Sequence, residues 1–353
     1  MPACQRLRPV VSCVLALLLT ACDPFSDAKP MMGEYLERLA RVLETPVPQA
    51  DQSLPPASVI PRTRERALQV PSLELGMLDF LSLYGCELQF IVGERNSVMG
   101  RVMQPLNRLR YEIRFIRAAE ECIAEVEDES LEQILQTAVQ SKRDSLPLAV
   151  WNATWGTEEV EQLLTLSKGF YPVAPEQNPV SDLVLDLRQL NQTVSALLNG
   201  QLDASLDGLG GIHQRWQAEF RAGQIINSGR LLIKTLNQGT EIIRSRLGER
   251  PLCLNGKSNN QAAIVQSFFL SVYIAKVQPY MSDVSRARHS LIAALAELAR
   301  RQQEVMPESF RLWYQRHLLE ESETSLWRQL DQAMASHTRH WQELLEQCGM
   351  RPG

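Results

Sequence analysis

Between residues 72 and 348, apolar side chains return at alternating steps of four and three, and that spacing admits few folds. One such seam is Met77, Leu81, Tyr84, Leu88, Ile91, Arg95, Val98 and Val102. Others are Leu183, Leu187, Leu190, Val194 and Leu197; Ile225, Gly229, Leu232, Leu236, Gly239 and Ile243; and Trp327, Leu330, Met334, His337, Trp341, Leu344 and Cys348. Each seam puts one face of a helix out of water, and that face must be covered by another helix. Strand-like alternation is scarce. The chain is therefore expected to be all-α, an elongated bundle of long antiparallel helices.

Helix boundaries follow from prolines, glycines and caps. A short amphipathic helix is expected over Met31–Glu44. The first long seam predicts one helix from about Ser72 to Gln104, ended by Pro105. A second helix, with Leu106, Leu109, Ile113, Ile116 and Ile123, then makes an antiparallel hairpin turning at Gln104. Glu129–Lys142 reads as a helix and Pro147–Gly156 as an irregular apolar loop holding Trp151 and Trp155. Thr157, followed by Glu158 and Glu159, looks like an N-cap. Ser181 is expected to cap another helix, and Gly208, Gly210 and Gly211 interrupt the chain. A helix of about 54 Å is expected over Ile212–Leu247 at 1.5 Å per residue. Glycines 229 and 239 in its seam permit a close neighbour. Asn259–Gln303 should be helical with a kink near Pro279, and Pro307–Gln347 should form the last helix. Between Thr45 and Arg64, Pro46, Pro48, Pro55, Pro56 and Pro61 forbid a helix. That stretch is a linker or a strap, and apolar Val47, Leu54, Val59 and Ile60 favour the strap.

The N-terminus has the parts of a secretory signal: Arg6 and Arg8, an apolar run from Val10 to Leu19, and Leu19-Thr20-Ala21 before Cys22. These residues look like the lipobox of bacterial lipoproteins, which implies a diacylglyceryl thioether and an acyl chain such as palmitate on Cys22. The run is too short to span about 30 Å of hydrocarbon. The most apolar stretch elsewhere, Ala262–Val277, contains Gln266, Ser267, Ser271 and Lys276 and reads as a buried core helix. The chain thus divides into a signal peptide (1–21), a lipid-anchored tether with a short helix and proline-rich strap (22–66), and a helical domain (67–353) with possible sub-regions 67–180 and 181–353. The expected location is the periplasmic face of a bacterial membrane. Asp23 resembles an inner-membrane retention signal, and the choice between inner and outer membrane stays open.

Residues 1–21 contain two of the 36 basic residues and none of the 41 acidic ones, so the mature chain carries a formal charge of −7. It has no Lys/Arg block, and a nucleic-acid partner is not expected. Cys86, Cys122, Cys253 and Cys348 form an even set in an oxidising compartment, which reads as two disulfides. Cys86 and Cys122 each lie 18 residues from Gln104, and an antiparallel hairpin brings them level. Cys348 should return near the loop holding Cys253. The expected pairs are Cys86–Cys122 and Cys253–Cys348.

Motifs for chemistry are sparse. There is no Gly-x-Ser-x-Gly elbow and no His-Glu-x-x-His. Gly256-Lys257-Ser258 resembles the end of a phosphate-binding loop, but Pro251 stands where its first glycine belongs. His337 and His340, with Glu343, have spacing that can hold a metal. His337 lies in an apolar seam, however, and a hydrogen-bonded core histidine is the simpler reading. No metal or cofactor is expected. Arg95 interrupts an apolar seam and should be paired. Glu112 is the nearest acid across the hairpin. The two form either a buried ion pair that sets register or, with Asn96 and Ser97, a ligand site. Trp151 and Trp155 grip a peptide or glycan, or plug the bundle.

At Cys86-Glu87-Leu88, Gly93-Glu94-Arg95-Asn96-Ser97, Leu148-Ala149-Val150-Trp151-Asn152-Ala153-Thr154 and Gln278-Pro279-Tyr280 the chain resembles a family of uncharacterised proteobacterial lipoproteins, domain of unknown function 3080. The similarity is expected to run from the lipobox to the last helix. It implies an extracytoplasmic lipoprotein and no particular activity. The functional expectation is a membrane-anchored, non-catalytic protein that binds or scaffolds an envelope protein partner. The alternative is an envelope enzyme or small-ligand binder centred on Arg95.

Overall fold

The computed structural model describes residues 27–46, 54, 57–71, 83–98 and 100–350. The signal sequence, Cys22, and Met77 and Leu81 of the first seam lie outside the described residues. The regular elements of the described residues are all helices, without a strand. The helices are α1 (Ala28–Leu43), α2 (Thr63–Arg66), α3 (Glu87–Asn96), α4 (Pro105–Ile123), α5 (Glu129–Thr154), α6 (Glu158–Leu163), α7 (Ser181–Leu198), α8 (Leu209–Ala218) and α9 (Arg221–Glu249). A run α10 follows through Asn260–Phe268, Phe269–Val277, Gln278–Ala287, Arg288–Ile292 and Ala293–Arg300, then α11 (Glu308–His317) and α12 (Leu326–Glu346). Helix α4 packs on α5 with α3 against its side, and α9 packs between α12 and α1. Helix α7 covers the C-terminal end of α10.

The α9–α12 seam shows why small residues alternate with large ones. A Cβ on Gly229 would meet Cζ3 of Trp327 at 2.9 Å, and one on Gly239 would meet Cε1 of His337 at 2.8 Å. The glycines admit rings of the facing helix rather than its backbone. His337 is fully buried and accepts at Nε2 from the Tyr35 hydroxyl at 2.6 Å and from Trp341 Nε1 at 3.1 Å. With Nε2 accepting, the ring proton belongs on Nδ1, which faces Thr240 Oγ1 at 3.1 Å. Thr240 in turn donates to Leu236 O. One imidazole thus ties α12 to α1 and α9. Burial holds its pKa down at about 3, so the ring is neutral.

Several helices end where the periodicity runs on. Gly85 has φ +98°, so the first seam cannot pass through it as one helix; α3 starts at Glu87, and Tyr84, Val98 and Val102 are exposed. Conversely, Pro147–Gly156 is not a loop. Helix α5 continues through Pro147 to Thr154 and buries Trp151 completely. The expected 212–247 helix is two helices, because α8 and α9 serve different partners. Helix α8 packs on α6. Helix α9 starts anew after Phe220, with Gly223 pressed against the Thr165 carbonyl, where any Cβ would collide. The last helix is also two. Ser325 caps α12 by accepting from Trp327 N, and Trp327 Nε1 reaches back to His317 O at 2.8 Å. Thr157 precedes α6, but its hydroxyl caps nothing.

In α10, Pro279 has no N–H for the carbonyl of Ala275. The helix widens on the N-terminal side of the proline. Phe269–Val277 has π geometry, and the Gln278 N–H bonds Tyr273 O, five residues back. The 262–277 stretch is not wholly buried: Val265, Phe268 and Val272 face the core, whereas Ile264 and Leu270 are exposed.

Residues 57–71 run as a strap pinned at both ends. Arg66 is fully buried; its guanidinium donates to the carbonyls of Pro61, Trp155 and Thr157 and pairs with Glu161 at 2.8 Å. Asn152 bonds both the N–H and the carbonyl of Leu68 at 2.7 Å, as a neighbouring strand would. Near the other end, Trp313 Nε1 donates to Ser58 O.

Disulfides join Cys86 to Cys122, with Cα atoms 5.7 Å apart, and Cys253 to Cys348, at 5.1 Å. These are the pairs expected from equal distances about the Gln104 turn and from the return of the last helix.

Candidate functional site

The first hairpin carries a dense charge cluster, built differently from the expected Arg95–Glu112 pair. Glu112 is 0% exposed, on the face of α4 that meets α5. Its Oε2 lies 2.7 Å from Nζ of Lys142, itself 2% exposed on α5, and its Oε1 pairs with Arg108 one turn back. Arg95 does not take this carboxylate. Helix α3 ends at Asn96, and the Arg95 guanidinium turns to the carbonyl of Gly100 in the following 3₁₀ turn. A Cβ at Gly100 would clash with the carbonyls of Glu94 and Arg95, so only glycine lets that turn fold back so closely. Asn96 and Ser97 are exposed; Ser97 Oγ bridges Glu94 O and the Gly100 N–H. Sequence reasoning found Arg95 and Glu112 but missed Lys142. A lysine one position after a run of polar residues on α5 gives no sign of burial.

Tyr111 is the hub of the cluster. The cationic groups of Arg95, Arg108 and Lys142 lie 6.0, 5.4 and 5.4 Å from its ring centroid. Burial and the neighbouring Glu112 charge push its hydroxyl up to about 12, so it stays protonated. Arg95 is lowered by burial and by the like charge of Arg108, and Lys142 is lowered by burial. Tyr111 also lines a groove of about 570 Å³ between α3, the 3₁₀ turn and the start of α4. Glu94, Asn107, Arg110 and Arg114 form its polar wall, and Val102 and Met103 its apolar edge. Arg114 pairs with Glu94 at 3.0 Å, and Arg110 contacts Asn107 Oδ1 at 2.9 Å.

Other candidates resolve into packing. His337 is a core histidine, and His340 hydrogen-bonds Ser336 O; among the described residues no group of His, Cys, Asp and Glu could hold a metal. The chain's six tryptophans (151, 155, 216, 313, 327 and 341) are all buried, so none offers an open stacking face to a glycan or peptide. A Ser–His pair that the sequence did not suggest joins Ser58 Oγ to His317 Nε2 at 3.0 Å. Burial and the charges of Arg316 and Arg230 hold His317 at about 4, and its Nδ1 has no partner to stabilise an imidazolium. That pair anchors the strap and is a poor proton acceptor. A groove of about 710 Å³ between α10 and α12 is lined by Tyr273, Ser282, Ser285, Ser290 and Thr338, and its guanidinium, Arg286, is paired with Asp283.

These features define a disulfide-bonded, all-α bundle with a buried ion cluster behind a basic groove. The chain belongs to the family of proteins of unknown function DUF3080, whose model matches residues 32–352. The match begins after Cys22 and contains both disulfides and the whole cluster. No curated protein and no solved structure matches the chain. No helix among the described residues is long and apolar enough to cross a membrane.

Proposed function

We propose that this chain is a lipid-anchored envelope protein, held outside the cytoplasm by acyl chains on Cys22, and that it works by binding rather than by catalysis. The observation that carries this is cysteine use. Every cysteine after residue 22 is joined in a disulfide, as suits an oxidising compartment, and Cys22 itself ends a lipobox. Helix α1 begins at Ala28. Five residues, reaching at most about 18 Å when extended, separate it from the anchor. Two acyl chains make such anchoring stable. The partner proposed is an envelope protein that meets the helical surface. In cells fed a fatty-acid analogue, Cys22→Ala should abolish labelling and leave the protein unprocessed or released. Undiminished labelling would falsify the anchor.

A second reading, a small-ligand binder at the first hairpin, is favoured by one specific observation. A groove lies beside Arg95, and its wall, through Tyr111, touches a cluster richer in cations than in carboxylates.

A further inference from the structure

Helix α4 is charged against its own dipole. Backbone dipoles leave about half a positive charge at a helix N-terminus and half a negative charge at its C-terminus, so acids suit the start and bases the end. In α4, Arg108, Arg110, Arg114 and Arg117 all precede Glu120 and Glu121; the first turn holds no acid and the last turn no base. Glu120 is met by Arg143 of α5 at 2.5 Å, which relieves the far end. The near end is left positive. Gln104 provides no side-chain cap there; Arg108 and Lys142 share the single carboxylate of Glu112, and Arg95 turns to the Gly100 carbonyl. Arg110 adds a further cation, while Arg114 is matched by Glu94. Five cations thus stand against two carboxylates around the groove, and three of the five lie against one tyrosine ring. Helix stability gains nothing from this arrangement, so it points to a negative charge supplied from outside.

We propose that the α3–α4 groove binds a phosphate-type oxyanion, either free or as a lipid headgroup. This rests on the second reading above, that the groove is a ligand site, and it names the ligand's chemistry. A phosphate group in the groove faces the Arg110 and Arg114 guanidinia, whose planar donors fit such oxygens. It also lies at the positive end of α4 and behind it are the half-buried charges of Arg95 and Arg108, screened by protein rather than by water. Val102 and Met103, on the open edge, suit the glycerol and first methylenes of a lipid better than a bare ion. Glu94 acts as an internal competitor. Its carboxylate occupies Arg114 in the unliganded protein and must let go when the anion enters. The arrangement therefore carries opposite signs for two neighbouring substitutions: Arg110→Gln weakens binding, and Glu94→Gln tightens it.

The test uses the full chain in neutral detergent, with inorganic phosphate and short-chain phosphatidylglycerol as separate probes. Hydrogen exchange over residues 94–114 and the unfolding temperature are the readouts. Either probe should slow exchange in that segment and raise the unfolding temperature. Protection by phosphate identifies a free oxyanion, and protection by the lipid alone identifies a headgroup. Arg110→Gln should weaken the effective probe about tenfold, the scale of one charge-assisted hydrogen bond, and Glu94→Gln should strengthen it. Both positions are at least partly exposed, and circular dichroism checks that the variants fold. If neither probe protects the segment but a crude envelope extract does, the groove is a ligand site and the anion assignment is overturned. If nothing protects it, both fall. Binding unchanged by Arg110→Gln, or weakened by Glu94→Gln, also overturns the proposal.

Discussion

Glu112 carries more of the structure than any other charged residue in the first hairpin, because it is the sole anion paired with two cations in a buried setting. A buried pair is weak support when intact but costly to break from one side, typically about 3–5 kcal/mol. Glu112→Leu should therefore lower stability by an amount on that scale in denaturant titrations. Lys142 would have to lose its proton, as its lowered pKa allows, and Arg108 would have to reach for water. Arg95→Leu should cost no more than about 1 kcal/mol, the worth of one ordinary hydrogen bond, since its guanidinium serves the Gly100 carbonyl and lies 6.0 Å from the centroid of the Tyr111 ring. Equal losses from the two variants would mean that Arg95 shares the carboxylate after all. The chain announces the arginine because it breaks an apolar seam. It hides Lys142, because a lysine at a polar-looking helix position is ordinarily solvated and only the approach of α4 buries it.

At the scale of elements, Gly239 tests how tightly α9 and α12 are fitted. Alanine is the better helix former by about 1 kcal/mol, so an exposed glycine-to-alanine change would stabilise. Here the added Cβ meets His337 at 2.8 Å, and the imidazole cannot swing aside without breaking its bonds to Tyr35 and Thr240. Gly239→Ala should therefore destabilise, net of propensity, by about 1–3 kcal/mol. A raised melting temperature would show that the ring has room to move. Helix identity was widely legible: α4, α7, α9 and α12 follow the three–four seams. Helix ends were less so. Gly85 with positive φ, and the Ser322–Thr324–Ser325 run before α12, are breaks the sequence displays. The break at Phe220 is of another kind, since it is set by the different partners of α8 and α9. Pro147 misleads in the opposite direction: its helix continues because Trp151 and Trp155 have a core to fill, packing around Phe310 of α11 at 5.1 and 4.8 Å.

The whole molecule should be sensitive to acid through two histidines held neutral. Burial, followed by nearby positive charge, lowers His317 to about 4 and His337 to about 3, against about 6.5 in an unfolded chain. Above pH 6.5 neither state binds these protons and stability is full. As pH falls below 6.5, the unfolded chain takes up a proton at each ring and the native chain does not. Each ring then lowers stability by up to about 1.4 kcal/mol per pH unit, until the native values are reached. Denaturant titrations between pH 6.5 and 5 should show this slope, and His317→Asn should remove about one proton's share of it. A slope unchanged in that variant would mean that His317 is charged in the native state. The disulfides act on the same global scale, closing separations of 36 and 95 residues. Each is worth roughly 3–5 kcal/mol by loop entropy, and they staple the first hairpin and the end of the last helix.

Taken alone, the sequence determined that the protein is helical, which faces of α4, α7, α9 and α12 are buried, and which cysteines stand level about the Gln104 turn. These follow from local spacing, because burial of a stripe repeats with the helix itself. Tertiary structure alone decided which charges share a pocket, that Tyr111 both meets three cations and lines a groove, and that α5 runs on through Pro147. Those outcomes depend on residues far apart in the chain meeting in three dimensions. A side chain's neighbours across a helix interface leave no period in its own segment.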